Sequence, residues 1–173
     1  MSVLSVLLRI SNLLDSIINF MAILGRVVII IISLLIIVDI VSLKFFSYQF
    51  PWVLEVSEYL LVFLTFLGVA WLLREDGHIK LDLLLNRLSE KNRMRMEILN
   101  SCIGAIISLV ITVYGFLATW NLHMRDIKTE NILEIPRSLL IVVIPVGFLF
   151  VFIQFIRNFL SAINKLKSRR EKS

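Results

Sequence analysis

With 173 residues, 58% of them hydrophobic, and a mean hydropathy of +0.90, the chain is too apolar for an ordinary soluble domain. Its formal charge of +5 does not point to nucleic acid, because the basic residues sit at the ends of hydrophobic stretches with no interleaved aromatics and no groove-reading motif. A single cysteine, Cys102 in an apolar run, excludes an internal disulfide and reads as a small packing residue.

The chain opens on a segment without the basic start or small-residue cleavage site of a removed signal peptide. Ser2, Ser5, Arg9, Asn12, Ser16 and Asn19 recur at three- and four-residue spacing opposite Val3, Leu7, Ile10, Leu14 and Ile17. This pattern predicts an amphipathic helix over 2–19 lying in the membrane surface, the alternative being a plain extension of the first span into water. A bilayer core needs about 20 apolar residues at roughly 1.5 Å each. Residues 20–43 reach that length if Arg26 snorkels at one end and Asp39 lies near the other. Residues 52–73 do so if Glu55 and Glu58 sit in the headgroup zone, with Pro51 starting the helix.

Beyond the second span, Arg74, Glu75, Asp76 and His78 mark an abrupt exit from lipid. Leu81, Leu84, Leu85 and Leu88 then return at helical spacing, with Lys80, Arg87, Lys91 and Arg95 on other faces, predicting a second surface helix over 79–96. Arg74, His78, Lys80, Arg87, Lys91 and Arg95 are its candidate membrane-surface anchors. The third span, 98–122, carries Ser101, Gly104, Ser108, Thr112, Gly115 and Thr119 on one face. Small residues let helix backbones approach where lipid supplies no hydrophobic drive, so the stripe reads as a packing surface, toward helices of this chain or of another. Thr65 and Gly68 form a thinner version on the second span. The fourth span, 138–160, contains Pro145, a structural kink, and a basic tail follows over 161–173.

The reading is therefore an all-α integral membrane protein of one domain, with four transmembrane helices and amphipathic surface helices. Fourteen of the basic residues fall near the termini or in the middle loop and four on the opposite side, which predicts cytoplasmic termini. No span places an acid, base or histidine at mid-depth, and no pair of helices is broken in corresponding places, so the chain is poorly equipped to carry a solute alone. Its two histidines, His78 and His123, fall near opposite faces and cannot share a haem or metal. Neither enzyme chemistry nor a cofactor is expected. Glu55 and Glu58, one turn apart, read as solvated carboxylates at a helix N-terminus.

Glu58 opening the second span, the TFLG step (65–68), the exit ending in HIKLDLL (78–84), and LEIP (133–136) before IPVGF (144–148) together resemble the small permease subunit of tripartite ATP-independent periplasmic (TRAP) transporters. The resemblance runs from about residue 52 to residue 159. It implies a multi-pass protein of the bacterial inner membrane that accompanies a large multi-span permease subunit and a periplasmic substrate-binding protein, contacts membrane lipids, and serves sodium-coupled uptake of carboxylates such as dicarboxylates, keto acids or sialic acids. In that setting the chain is a scaffold for an elevator-type carrier, and Arg125, Lys128 and Arg137 are candidate contacts for the binding protein. The competing expectations are a stand-alone four-helix carrier working as a homo-oligomer, and a membrane assembly factor without transport activity.

Overall fold

A computed structural model of the chain describes residues 3–76 and 90–170. Five helices account for most of it: α1, Val3–Phe46; α2, Pro51–Asp76; α3, Glu90–Met124; α4, Arg137–Ile141; and α5, Val143–Arg170. Four stretches are long and apolar enough to cross a membrane, Asn12–Phe46, Pro51–Glu75, Met94–Met124 and Arg137–Asn164. The expected all-α architecture with four spans is borne out.

The ends of these helices follow from local chemistry. Nothing between Val3 and Phe46 breaks the backbone pattern, since the segment lacks proline and Gly25 is its single glycine. It stops where Ser47 takes φ 51° and donates its N–H to the Leu43 carbonyl at 3.1 Å. Four residues later Pro51 begins α2, where its missing N–H costs nothing. The Asp39 carboxylate accepts the Phe50 N–H at 2.8 Å and closes this turn.

At the far end of α3, Asp126 adopts φ 46° and donates to His123 at 3.2 Å, while Ile127 donates to Leu122 at 3.3 Å. Those two nested bonds are a Schellman termination, with an aspartate in the position glycine usually holds. The last span is divided at Val142 because Pro145 has no N–H to give the Ile141 carbonyl. Bonds on either side, Val142 to Ser138 at 3.0 Å and Val146 to Val142 at 3.3 Å, carry the helical path across the break.

In space the long helices stand in the order α1, α2, α5, α3: α5 packs against both α2 and α3, and α1 against α2. Glycines permit the closest approaches. A methyl group on Gly147 would stand 2.6 Å from the carbonyl oxygen of Phe66, so α5 and α2 meet backbone to backbone there. Phe66 and Phe148 flank the crossing with ring centres 5.9 Å apart. Ile18, Ala70 and Val151 form the buried centre of the three-helix contact, surrounded by Val69, Trp71, Leu73, Phe148, Phe150 and Phe155.

Several boundaries differ from those read in the sequence. Residues 2–19 were expected as a separate surface helix, but from Val3 onward they are continuous with the first span. Of the polar stripe read over this segment, Asn19 meets Arg74 of α2, as does its neighbour Asp15, which the stripe did not include. Of the second surface helix, 79–89 lie outside the described residues, and 90–96 continue without interruption into the third span. The segment expected as a basic tail is helical through Arg170.

Candidate functional site

Two polar ties hold the bundle, one at each end. At the end carrying both termini, the Asp15 carboxylate of α1 accepts two N–H groups from Arg157 of α5, at 2.7 and 3.2 Å. Arg74 of α2 approaches the same carboxylate to 3.8 Å, donates to the Asp15 main-chain oxygen at 3.4 Å and to Asn19 Oδ1 at 2.6 Å, and pairs with Glu75 at 3.3 Å. Behind Arg157 stands Gln154, 5% exposed, which accepts from Arg157 at 3.4 Å and donates to Asn158 at 3.2 Å. A single carboxylate thus joins three helices, with the bidentate fork that makes an arginine pair geometrically specific.

The opposite end is tied by Glu55, one of the two carboxylates that the sequence offers as solvated. Glu55 accepts the N–H groups of Ile132 and Leu133 at 2.9 and 3.3 Å, and Asn131 donates to the Tyr59 hydroxyl at 3.1 Å. The α3–α4 loop is therefore docked on the start of α2. It is also organised internally: Thr129 donates its N–H to the Ile135 carbonyl and receives the Ile135 N–H on its hydroxyl, both at 3.0 Å, and Arg137 donates to Ile127 at 3.0 Å. Glu58 is exposed.

Between the ties lies the small-residue stripe of α3. Ser101, Ser108 and Thr112 are buried, and Gly104, Gly115 and Thr119 half-buried. The Phe155 ring fills the space above Gly104, and Pro145 that above Gly115, where an added methyl group would meet its Cβ at 3.0 Å. The stripe accordingly faces α5 of the same chain, which answers the question the sequence leaves open. Its hydroxyls are spent within the helix: Ser108, Thr112 and Thr119 donate to Gly104, Ser108 and Gly115 carbonyls at 2.7–2.8 Å. Such a surface packs helices and offers no chain of free donors to a permeating solute.

The thinner pair on α2 points elsewhere. Thr65 is exposed, its hydroxyl donating to Leu61 at 2.9 Å, and nothing stands within 4 Å of where a Gly68 methyl group would be. Cys102, read as a packing residue, is exposed because it lies off the face that meets α5. Arg125, Lys128 and Arg137 are exposed around the docked loop.

Among the expected surface anchors, Arg74 has its side chain turned into the three-helix tie, because Asp15 and Asn19 project from α1 at the same level. Arg95 is exposed on α3 and Lys91 lies in its first turn, while His78, Lys80 and Arg87 fall outside the described residues. Sequence reasoning missed Asp15, Gln154 and Arg157 as a unit. The signal was present in Asp15 itself, the one acid before Asp39, sharing a helix face with Asn12 and Asn19.

Gly25 lies beside Leu64, halfway along α2, with a Gly25 methyl position 3.4 Å from the Leu64 side chain. The Arg26 side chain reaches back to place its guanidinium carbon 5.9 Å from the centre of the Trp71 ring.

The chain is similar to the C4-dicarboxylate TRAP transporter small permease protein DctQ of Rhodobacter capsulatus, at 32% identity over 97 residues. That alignment covers 56% of the present chain and 42% of the relative, so the chain matches less than half the relative's length. The family described as tripartite ATP-independent periplasmic transporters, DctQ component, matches residues 32–165, from the C-terminal third of α1 through the other three spans and both ends of the stripe that α5 covers. An extended match of that kind, laid over a four-span bundle, makes this chain a member of the DctQ family of TRAP transporter membrane components.

Proposed function

We propose that the chain is the small membrane subunit of a sodium-coupled, binding-protein-dependent transporter for organic acids, seated beside a large permease subunit in the bacterial inner membrane with both termini cytoplasmic. The family match over residues 32–165 carries this reading. The substrate class to test first is the C4-dicarboxylates, after the relative's name.

The bundle's own chemistry agrees with a supporting role. Its serine and threonine hydroxyls donate to their own helices, and its charged ties sit at the two ends. A carrier that moves part of itself across the bilayer needs a neighbour that does not move with it. Helices laid side by side, stapled at both ends by carboxylates, are suited to widening such a stationary part. The exposed Arg125, Lys128 and Arg137 surround a loop held rigidly on α2, a fitting surface for the periplasmic binding protein. The cytoplasmic placement of the termini rests on the concentration of basic residues at that end.

The test is reconstitution. The chain co-expressed with the large permease gene from its own genome should purify in one-to-one complex with it, and vesicles containing both, given binding protein and a sodium gradient, should accumulate a dicarboxylate. Accumulation by the chain alone would refute the scaffold and favour a self-sufficient carrier.

A further inference from the structure

We propose that Arg26 and Trp71 form a binding point for a phospholipid headgroup phosphate on the α1–α2 face of the bundle. The Arg26 guanidinium lies over the Trp71 indole at cation–π distance, a contact that uses none of its N–H donors as hydrogen bonds to the chain. Arg26 is exposed, and no described residue accepts a hydrogen bond from it. Among the described residues those donors meet no acceptor, which leaves them open to a ligand.

Asp15 in the three-helix tie and Asp39 in the α1–α2 turn bracket its depth. Along α1, Arg26 stands 11 residues from Asp15 and 13 from Asp39, which is about 16 Å and about 20 Å at the helical rise. A hydrocarbon core of about 30 Å laid between these two acids puts the Arg26 backbone near its middle, where bare donors are least tolerated. The side chain responds by direction. From the level of Leu64 it is directed toward Trp71, whose backbone lies about 10 Å nearer the end of α2, and so part of the way toward the headgroups along its own bundle. A neighbouring helix would be met sideways, so the geometry favours a lipid phosphate over a partner's carboxylate. The planar fork matches two phosphate oxygens, and an indole is at home where one side is apolar and the other wet. No charged group of the described residues compensates this guanidinium, so the site should prefer lipids of net negative charge. The proposal concerns the chain alone and stands apart from its role in transport.

Trp71 is a built-in reporter. The full chain carrying Trp52→Phe and Trp120→Phe retains it as the single indole, and is reconstituted in phosphatidylcholine vesicles containing brominated phosphatidylglycerol or brominated phosphatidylcholine. Half-quenching is expected at an about five-fold lower fraction of the anionic lipid, the selectivity one basic residue contributes at a charged membrane surface. Arg26→Gln should abolish that difference while leaving phosphatidylcholine quenching unchanged, and Arg26→Lys should keep part of it by retaining charge without the fork. Equal quenching by the two lipids in the chain with native Arg26 overturns the proposal without recourse to any Arg26 variant. So does a preference that survives Arg26→Gln. If the vesicles show no preference and Arg26→Gln instead releases the chain from a co-purifying large subunit, the acceptor is a protein carboxylate and the lipid site is refuted.

Discussion

Replacing Asp15 by asparagine keeps the side chain's shape and removes the one charge that joins α1, α2 and α5. In the native chain the carboxylate receives N–H groups from Arg157 at 2.7 and 3.2 Å and stands 3.8 Å from Arg74. Asparagine offers one acceptor oxygen and turns an amide NH2 toward a guanidinium, so one charge-assisted bond is lost and the other weakened. A hydrogen bond to a charged group contributes about 1.5–3 kcal/mol. The Asp15 side chain is 34% exposed and that of Arg157 30%, so solvent screening brings the figure to the low end. The expected loss is about 1.5 kcal/mol, roughly tenfold in the folded-to-unfolded ratio.

The measurement is a double-mutant cycle with Arg157→Gln, unfolding the detergent-solubilised chain with an anionic detergent and following helix packing through near-ultraviolet dichroism. Coupling of about 1 kcal/mol between Asp15 and Arg157 is expected. The corresponding cycle with Arg74→Gln should give less, because Arg74 makes its shortest bond to Asn19, at 2.6 Å. A coupling below about 0.3 kcal/mol for Asp15 and Arg157 would refute the reasoning, and the tie would be a solvated surface pair of no consequence to the helix arrangement.

Gly147→Ala places a methyl group 2.6 Å from the main-chain oxygen of Phe66; overpacking of this kind costs about 1–3 kcal/mol and should lower the thermal midpoint. Phe66→Ala should not rescue it, since the obstacle is backbone, and Gly68→Ala, with open space around it, should shift the midpoint little. Glu55→Gln weakens the acceptor of the Ile132 and Leu133 amides, and their hydrogen exchange should quicken about tenfold while global unfolding barely changes. Simultaneous charge reversal at Arg125, Lys128 and Arg137 should weaken uptake by the reconstituted complex and leave its assembly intact; unchanged uptake removes them from the binding-protein interface.

Helix content, span number and the position of most turns were legible in the sequence because each depends on neighbours a few residues away. Length and hydropathy specify four spans. The recurrence of Ser101, Gly104, Ser108, Thr112, Gly115 and Thr119 marks a close-packing face whatever covers it, and Pro145 marks a break whatever lies beside it. The continuity of residues 3–19 with the first span was not legible for the same reason in reverse. Periodicity reveals which residues share a face, but a polar face on a helix looks alike whether water or another helix's arginine satisfies it.

Only the tertiary structure decided what met what. That α5 covers the stripe, with Phe155 over Gly104 and Pro145 over Gly115, depends on how helices are rotated about their own axes and shifted along one another. So does the pairing of Asp15 with Arg157, 142 residues away, and the conversion of Glu55 from a solvated carboxylate to the anchor of a loop. The repeat of one helix carries no information about the axial offset of its neighbour. That offset is set by the sum of contacts between surfaces distant in the chain, and it is what placed Arg26 beside the middle of α2 and its guanidinium within 5.9 Å of the Trp71 ring centre.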